Sequence, residues 1–242
     1  MSSSSEGIAV ARSKGELGPF PLDRRAYTQL GLAYALLVAI GLALGWLLLN
    51  PMAGTAIETF DSELALTFES VRTPVLDRLT DIGSGFAGTY NVIAAIIVLI
   101  LAMAWLWKRW RESLVLGLAL ALEALVFLTV SLVVGRERPP VEQLDMSPPT
   151  ASFPSGHTGA AFALYFTLAL IVFWNTENLV ARTAAVIGAI VIPISVAISR
   201  LYRGMHYLTD VLVGAGLGAA CVFIVVRIVT EAIERKRAET GP

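Results

Sequence analysis

Histidine and cysteine are almost absent: the 242 residues hold His157, His206 and the single Cys221. One cysteine cannot close an internal disulfide, and Cys221 sits inside an apolar block, where it reads as a small buried residue. Two imidazoles and one buried thiol are too few soft ligands for a zinc centre, and no H-E-x-x-H occurs. The carboxylates do not cluster at a spacing that would hold a hard cation. Charge is scarce too. Asp, Glu, Lys and Arg make up 15% of the chain, against about 25% in soluble domains. A formal net charge of −1 gives no reason to expect a nucleic-acid partner.

What the chain does have is apolar length. Six blocks, Leu30–Leu49, Tyr90–Trp107, Leu114–Val134, Thr158–Trp174, Thr183–Ile198 and Val211–Val226, carry one charge between them, Glu123. Runs of this length read as membrane spans. Backbone in lipid must satisfy its own hydrogen bonds, so the choice lies between helices and a closed barrel. The runs lack alternation, which excludes the barrel. The expected fold is all-α and polytopic, with six transmembrane helices. The polar N-terminal segment "MSSSSEGIAVARSKGELG" is expected to be loose. The first block is longer than a signal-peptide core and no small-residue cleavage site follows it, so it should remain as a span.

Lys and Arg set the orientation. Segments 1–29, 108–113, 175–182 and 227–242 would share one side and hold twelve of the 18 basic residues, Lys108 and Arg109 among them. The six on the other side are Arg72, Arg78, Arg136, Arg138, Arg200 and Arg203. This bias puts both termini in the cytoplasm and both histidines outside. The outer connection 51–89 repeats Ile57, Phe60, Leu64, Phe68, Val71, Val75 and Leu79 at steps of three and four. It reads as an amphipathic helix at the membrane surface, broken near Thr73-Pro74, that packs over the bundle or serves as a lid or lipid gate.

Several patterns are set aside. Gly83-Ser-Gly85-Phe-Ala-Gly88 matches G-x-G-x-x-G, but no strand precedes it, and a flexible loop is the expectation. Gly41/Gly45 and Gly214/Gly218 are spacings for close helix approach, read as intramolecular packing. Glu123 is costly at mid-membrane, so it is either protonated and hydrogen-bonded or faces a polar site.

Three stretches carry chemistry. In "FPSGHTG" (153–159), Ser155 can cap a helix whose N-terminus is an anion site, Gly156 permits close backbone approach, and His157 lies in the first turn. In "SRLYRGMHYLTD" (199–210), His206 and Asp210 are four apart, so on a helix Asp210 could accept from one ring nitrogen and leave the other a free lone pair. "GRERPP" (135–140) adds Arg136 and Arg138, whose forks suit phosphate oxygens. All three fall at helix ends on one membrane face. Arginines, a helix N-terminus, two imidazoles and a carboxylate are the parts that phosphoryl transfer needs.

These stretches resemble the type 2 phosphatidic acid phosphatase superfamily, which includes vanadium haloperoxidases and undecaprenyl pyrophosphate phosphatases. Its pattern is K-x6-R-P, P-S-G-H and S-R-x5-H-x3-D. The second is Pro154-Ser155-Gly156-His157, and the third runs from Ser199-Arg200 through His206 to Asp210. Of the first, Arg138-Pro139 is present while Ser131 stands at the lysine position. The resemblance spans roughly residues 90–226. It implies a metal-free, cofactor-free lipid phosphatase. His206 would attack phosphorus, with Asp210 orienting it. His157 would protonate the leaving oxygen and then activate water, and Arg138, Arg200, Ser155 and Gly156 would bind the phosphate. Arg136 is expected to replace the missing lysine. A neutral His206 and a protonated His157 predict a bell-shaped pH–rate profile. The substrate would be a polyprenyl phosphate or diphosphate, phosphatidic acid or phosphatidylglycerol phosphate, met in the bilayer at the outer face of the plasma membrane. The implied organisation is a cytoplasmic segment 1–28, a phosphatase domain 29–228 and a cytoplasmic tail 229–242. An anionic-lipid transporter or flippase, and a haloperoxidase-like use of the same oxyanion site, remain alternatives.

Overall fold

The computed structural model describes residues 20–107, 110–146 and 150–240. The polar N-terminal segment 1–18, with Arg12 and Lys14 of the orientation count, and Lys108 and Arg109 therefore lie outside the described residues. Among them the chain forms eight helices and no strand: α1 (Arg24–Leu49), α2 (Ala56–Ser70), α3 (Pro74–Gly85), α4 (Thr89–Trp107), α5 (Trp110–Val134), α6 (Gly156–Asn175), α7 (Leu179–Tyr202) and α8 (Leu208–Thr240). Six stretches are long and apolar enough to cross a membrane: α1, α3 running into α4, α5, α6, α7 and α8. Each expected block lies inside one helix, and most of the helices extend beyond the blocks into polar flanks.

Local signals set several ends. Asp23 caps α1 by accepting from the Ala26 amide at 2.7 Å. Asn178 does the same for α7 through Ala181 at 3.0 Å. Thr73 caps α3 with Pro74 at its first position, so the expected break at Thr73-Pro74 is where α2 gives way to α3. Gly135 takes a left-handed conformation just past α5, the usual helix-ending use of glycine.

Lipid is as apolar as leucine, so helices in a membrane associate by close packing rather than by hiding from water. The small residues do this here. Gly41 and Gly45 of α1 lie against Val130 and Val134 of α5. Gly214 of α8 lies on the Ser155 carbonyl, and Gly218 on that of Gly159. Both spacings thus serve packing within the chain. α6 is the hub, touching α5, α7 and α8, while α4 packs outside α5. Val126, Val130, Phe153, Ala161, Val196 and Val225 are buried in the core. Leu32, Leu36, Leu101, Val186 and Phe223 are exposed, as lipid-facing positions are. Glu123 is buried between α5 and α6 with its Oε1 against Gly159 and without a hydrogen-bond partner.

α2 lies over one end of the bundle, and α3 runs alongside the last turns of α7, from Asp77 beside Arg203 to Gly83 beside Ser199 and Ser195. Their inner edge is fixed at the corner between them. Arg72 donates to the carbonyls of Tyr202 (3.2 Å) and Glu142 (2.7 Å), and the Thr73 amide donates to the Tyr202 hydroxyl at 3.0 Å. Ile57, Phe60, Val71, Val75 and Leu79 remain exposed on the outer side. The segment therefore both packs over the bundle and presents apolar side chains outward. The G-x-G-x-x-G stretch is not a flexible loop: residues 83–85 complete α3, because Gly83 lets that helix close onto Ser199 of α7.

Candidate active site

The α5–α6 and α7–α8 connections meet beneath α2. His206 lies in the second connection, 4% exposed. Its Nδ1 is 2.6 Å from the Ser152 carbonyl. A carbonyl only accepts, so Nδ1 carries the proton and Nε2 keeps its lone pair. Burial, and then the charges of Arg200, Arg138 and His157, hold the His206 pKa well below the ordinary imidazole value. The ring is neutral at physiological pH.

Asp210 does not bond this ring directly: its Oδ2 is 3.9 Å from Nδ1. The expected i,i+4 pairing fails because α8 begins only at Leu208, so His206 precedes the helix. Asp210 instead turns back to accept from the Tyr207 amide at 2.9 Å, from Ser152 Oγ at 2.5 Å and from Arg136 at 2.5 Å. It reaches His206 through Ser152, whose hydroxyl it holds while the carbonyl of the same residue holds the ring.

Arg136 is committed. One Nη donates to Asp210 and, at 2.7 Å, to Thr209; the other meets Asp61 of α2 at 3.0 Å, and its face lies on the Tyr207 ring. Burial opposes its charge, but Asp210 and Asp61 outweigh burial and push its pKa up. Two buried carboxylates, Asp61 and Asp210, thus already hold the guanidinium expected to stand in for the absent lysine. Ser131, at the lysine position, is buried with an unpartnered hydroxyl.

Arg138 and Arg200 differ from it. Arg138 donates to the Met205 carbonyl at 2.6 Å and the Thr150 carbonyl at 3.2 Å, and no carboxylate bonds it among the described residues. Arg200 donates through Nη1 to Ser84 Oγ at 2.8 Å and to Asp145 at 2.6 Å, and its buried Nε has no acceptor. His157 stands in the first turn of α6, where the charges of Arg200, Asp145 and Arg138 act on it. Ser155 occupies the N-cap position, but its hydroxyl pairs with Thr158 at 2.9 Å instead of capping the helix. Its amide donates to the Asp210 carbonyl at 3.0 Å, tying the start of α6 to α8. Gly156 lies against the Phe127 ring, leaving no room for a Cβ.

Residues 112–234 match the model of the PAP2 superfamily. The chain belongs to that superfamily. It is 29% identical over 171 residues to phosphatidylglycerophosphatase B of Bacillus subtilis, covering 70% of this chain and 83% of that protein. It resembles the crystal structure of a transmembrane PAP2-type phosphatidylglycerolphosphate phosphatase from Bacillus subtilis, with a TM-score of 0.72 and 26% identity over 84% of this chain and 98% of that one. The crystal structure of Aquifex aeolicus LpxE is more distant, with a TM-score of 0.54 and 25% identity over 68% of this chain and 93% of that one. The chain is thus a multi-pass membrane PAP2 protein.

Around the PAP2 motifs the structure adds Ser152, Asp145, Asp61 and Ser84, and it joins to them Arg203, one of the arginines clustered on the same expected face. Two had readable signals. Asp61 is an acidic residue on the apolar stripe of α2, between Ile57 and Leu64. Arg203 follows Arg200 by three, on the same side of the chain's turn out of α7. Asp145, Ser152 and Ser84 had none, since their partners are far away in sequence. Leu64, Ala65 and Phe68 of α2 close over Leu201, Tyr207 and Leu208, beside Asp61 and His206.

Proposed function

We propose that this PAP2 protein is a lipid phosphate phosphatase with His206 as nucleophile. The observation that carries the reading is the Nδ1 bond to the Ser152 carbonyl, which leaves Nε2 free beside guanidinium groups that still have donors to offer. Nε2 attacks phosphorus and the P–O bond to the lipid breaks. His157 gives its proton to the departing oxygen, which leaves as the lipid alcohol or, from a diphosphate, the lipid monophosphate. His157 then takes a proton from water as that water attacks the phosphohistidine, releasing inorganic phosphate and restoring His206. Arg138 and Arg200 stabilise the charge on the transferring phosphoryl oxygens, and the amides opening α6 assist. Asp210 and Ser152 hold the tautomer, and Arg136 holds Asp210.

The exposed apolar side chains of α2 and α3, such as Phe60 and Val75, suit a substrate whose tail lies in lipid while its phosphate reaches the connections. The names of the relatives favour a lipid phosphate such as phosphatidylglycerol phosphate. The basic-residue bias supports cytoplasmic termini, with the site on the opposite face of the plasma membrane. Phosphate release from phosphatidylglycerol phosphate, phosphatidic acid and undecaprenyl diphosphate by the detergent-purified protein, with EDTA present, tests the reading. Wild type should turn over at least one of them and form an acid-labile phosphoprotein. H206A should do neither. Equal release by both proteins would overturn the assignment.

A further inference from the structure

Asp145 lies on the α5–α6 connection, and neither its sequence neighbourhood nor the motif chemistry assigns it a role. Its two oxygens divide between two arginines. Oδ2 accepts from Arg200 Nη1 at 2.6 Å, and Oδ1 accepts from Arg203 Nε at 2.7 Å. Burial would raise its pKa, but the bonds and charges of Arg203 and Arg200 outweigh that and hold it below the ordinary carboxylate range, so it stays ionised. Arg203 does not depend on it, since this guanidinium also donates to the carbonyls of Asp77 (3.0 Å) and Leu144 (3.1 Å).

Arg200 is different. It is 3% exposed and its Nε faces no acceptor. A buried guanidinium N–H without a partner costs about as much as a lost charged hydrogen bond, and an anion would satisfy it. An oxyanion on Nε would share Arg200 with the carboxylate already on Nη1. Two negative groups on one guanidinium repel, and buried repulsion is poorly screened.

We propose that Asp145 is a positioning residue that limits how tightly the site holds phosphate. It keeps Arg200 aligned in the empty site and weakens retention of the inorganic phosphate left after turnover. This rests on the phosphatase reading above. It assigns the carboxylate a cost in affinity and a gain in product release.

Inorganic phosphate and orthovanadate are the probes, read both by inhibition of turnover and by the thermal shift they induce in detergent. D145N removes the charge and keeps the shape. Its inhibition constants should fall about tenfold, the order expected for one partly buried charge at this range. KM for the lipid phosphate should fall with them, and kcat should fall or stay level, as release slows. D145E retains the charge and should keep wild-type anion affinity. If D145N does not purify as a single species, D145S, also uncharged, must move the constants the same way. Unchanged or weaker anion binding in the uncharged variants, alongside an active wild type, would overturn the role of Asp145. A wild type that turns over no lipid phosphate would defeat the phosphatase reading instead, while the thermal shift would still report whether the carboxylate opposes anions.

Discussion

Arg136 and Arg200 look alike at first. Each is a buried guanidinium at the end of a membrane helix, close to the imidazoles. Their surroundings separate them. Asp61 and Asp210 take both arms of Arg136, and Thr209 and Tyr207 fill what remains. Arg200 shares one carboxylate with Arg203 and keeps a buried Nε unused. The number of arginines in a site is therefore a poor measure of its capacity for phosphate, because the carboxylates decide which charges are already spoken for. One arginine is a strut, and the other keeps an unspent donor that the proposed mechanism offers to phosphate.

The comparison predicts two kinds of damage. Arg200→Ala should lower kcat/KM by about 10²–10³, the cost of losing a charged stabiliser of the transition state, with a modest change in Tm. Arg136→Ala should strand Asp61 and Asp210 as unpaired buried charges, costing about 3–5 kcal/mol of stability, visible as a large fall in Tm. If Arg136→Ala instead kept its Tm and lost only activity, the strut assignment would be wrong.

Next in size is the packing seam. Gly159→Ala would drive a methyl toward Glu123 Oε1 and the Gly214 carbonyl, and overpacking of this kind costs about 1–3 kcal/mol. Thermal unfolding in detergent reads it, and an unchanged Tm would show that the helices yield more readily than their spacing implies.

The pH profile sharpens the contrast from the side of chemistry. His206 is neutral because burial, Arg200 and Arg138 depress its pKa. The proposed attack requires that neutral form, so the acid limb of kcat/KM should lie well below the ordinary imidazole range near 6.5. Removing a positive charge lets the pKa rise, so Arg138→Gln should move that limb to higher pH. A limb that stays in place would separate Arg138 from the imidazole.

The smallest effect lies at the opposite end of the bundle. Arg235 bonds Asp23 at 2.8 Å, and that bond with the Ala26 amide lowers the carboxyl pKa to about 2. A depressed acid stabilises the fold above its unfolded pKa, and this contribution fades only as pH falls from about 4 through 2. Both groups meet solvent, so Arg235→Ala should leave activity intact and shift Tm little at physiological salt. A loss of activity would reveal coupling across the bilayer that nothing at the site requires.

The spans were legible because lipid imposes one rule on every residue of a crossing, and an apolar run records it. His157, His206, Arg138, Arg200 and Asp210 were legible because they fall within short fixed spacings. The bonds among them were not. Asp210 was read as holding His206 on a shared helix, but the helix starts two residues after the imidazole, and a loop hydroxyl and carbonyl at Ser152 intervene. Arg136 and Arg138 sit two apart in one motif, and only distant Asp61 tells them apart. Side-chain pairing between connections depends on how loops fold over one another, and no periodicity encodes that.

Gly214 and Gly218 press the backbone of α8 onto that of α6, just below the two imidazoles. The spacing of the reacting groups is thereby handed to main chain meeting main chain, which has few ways to adjust. The exposed apolar residues of α2 and α3 stand outside that contact. Swapping them for those of another superfamily member should retune which lipid is admitted while the bond-breaking apparatus keeps its register.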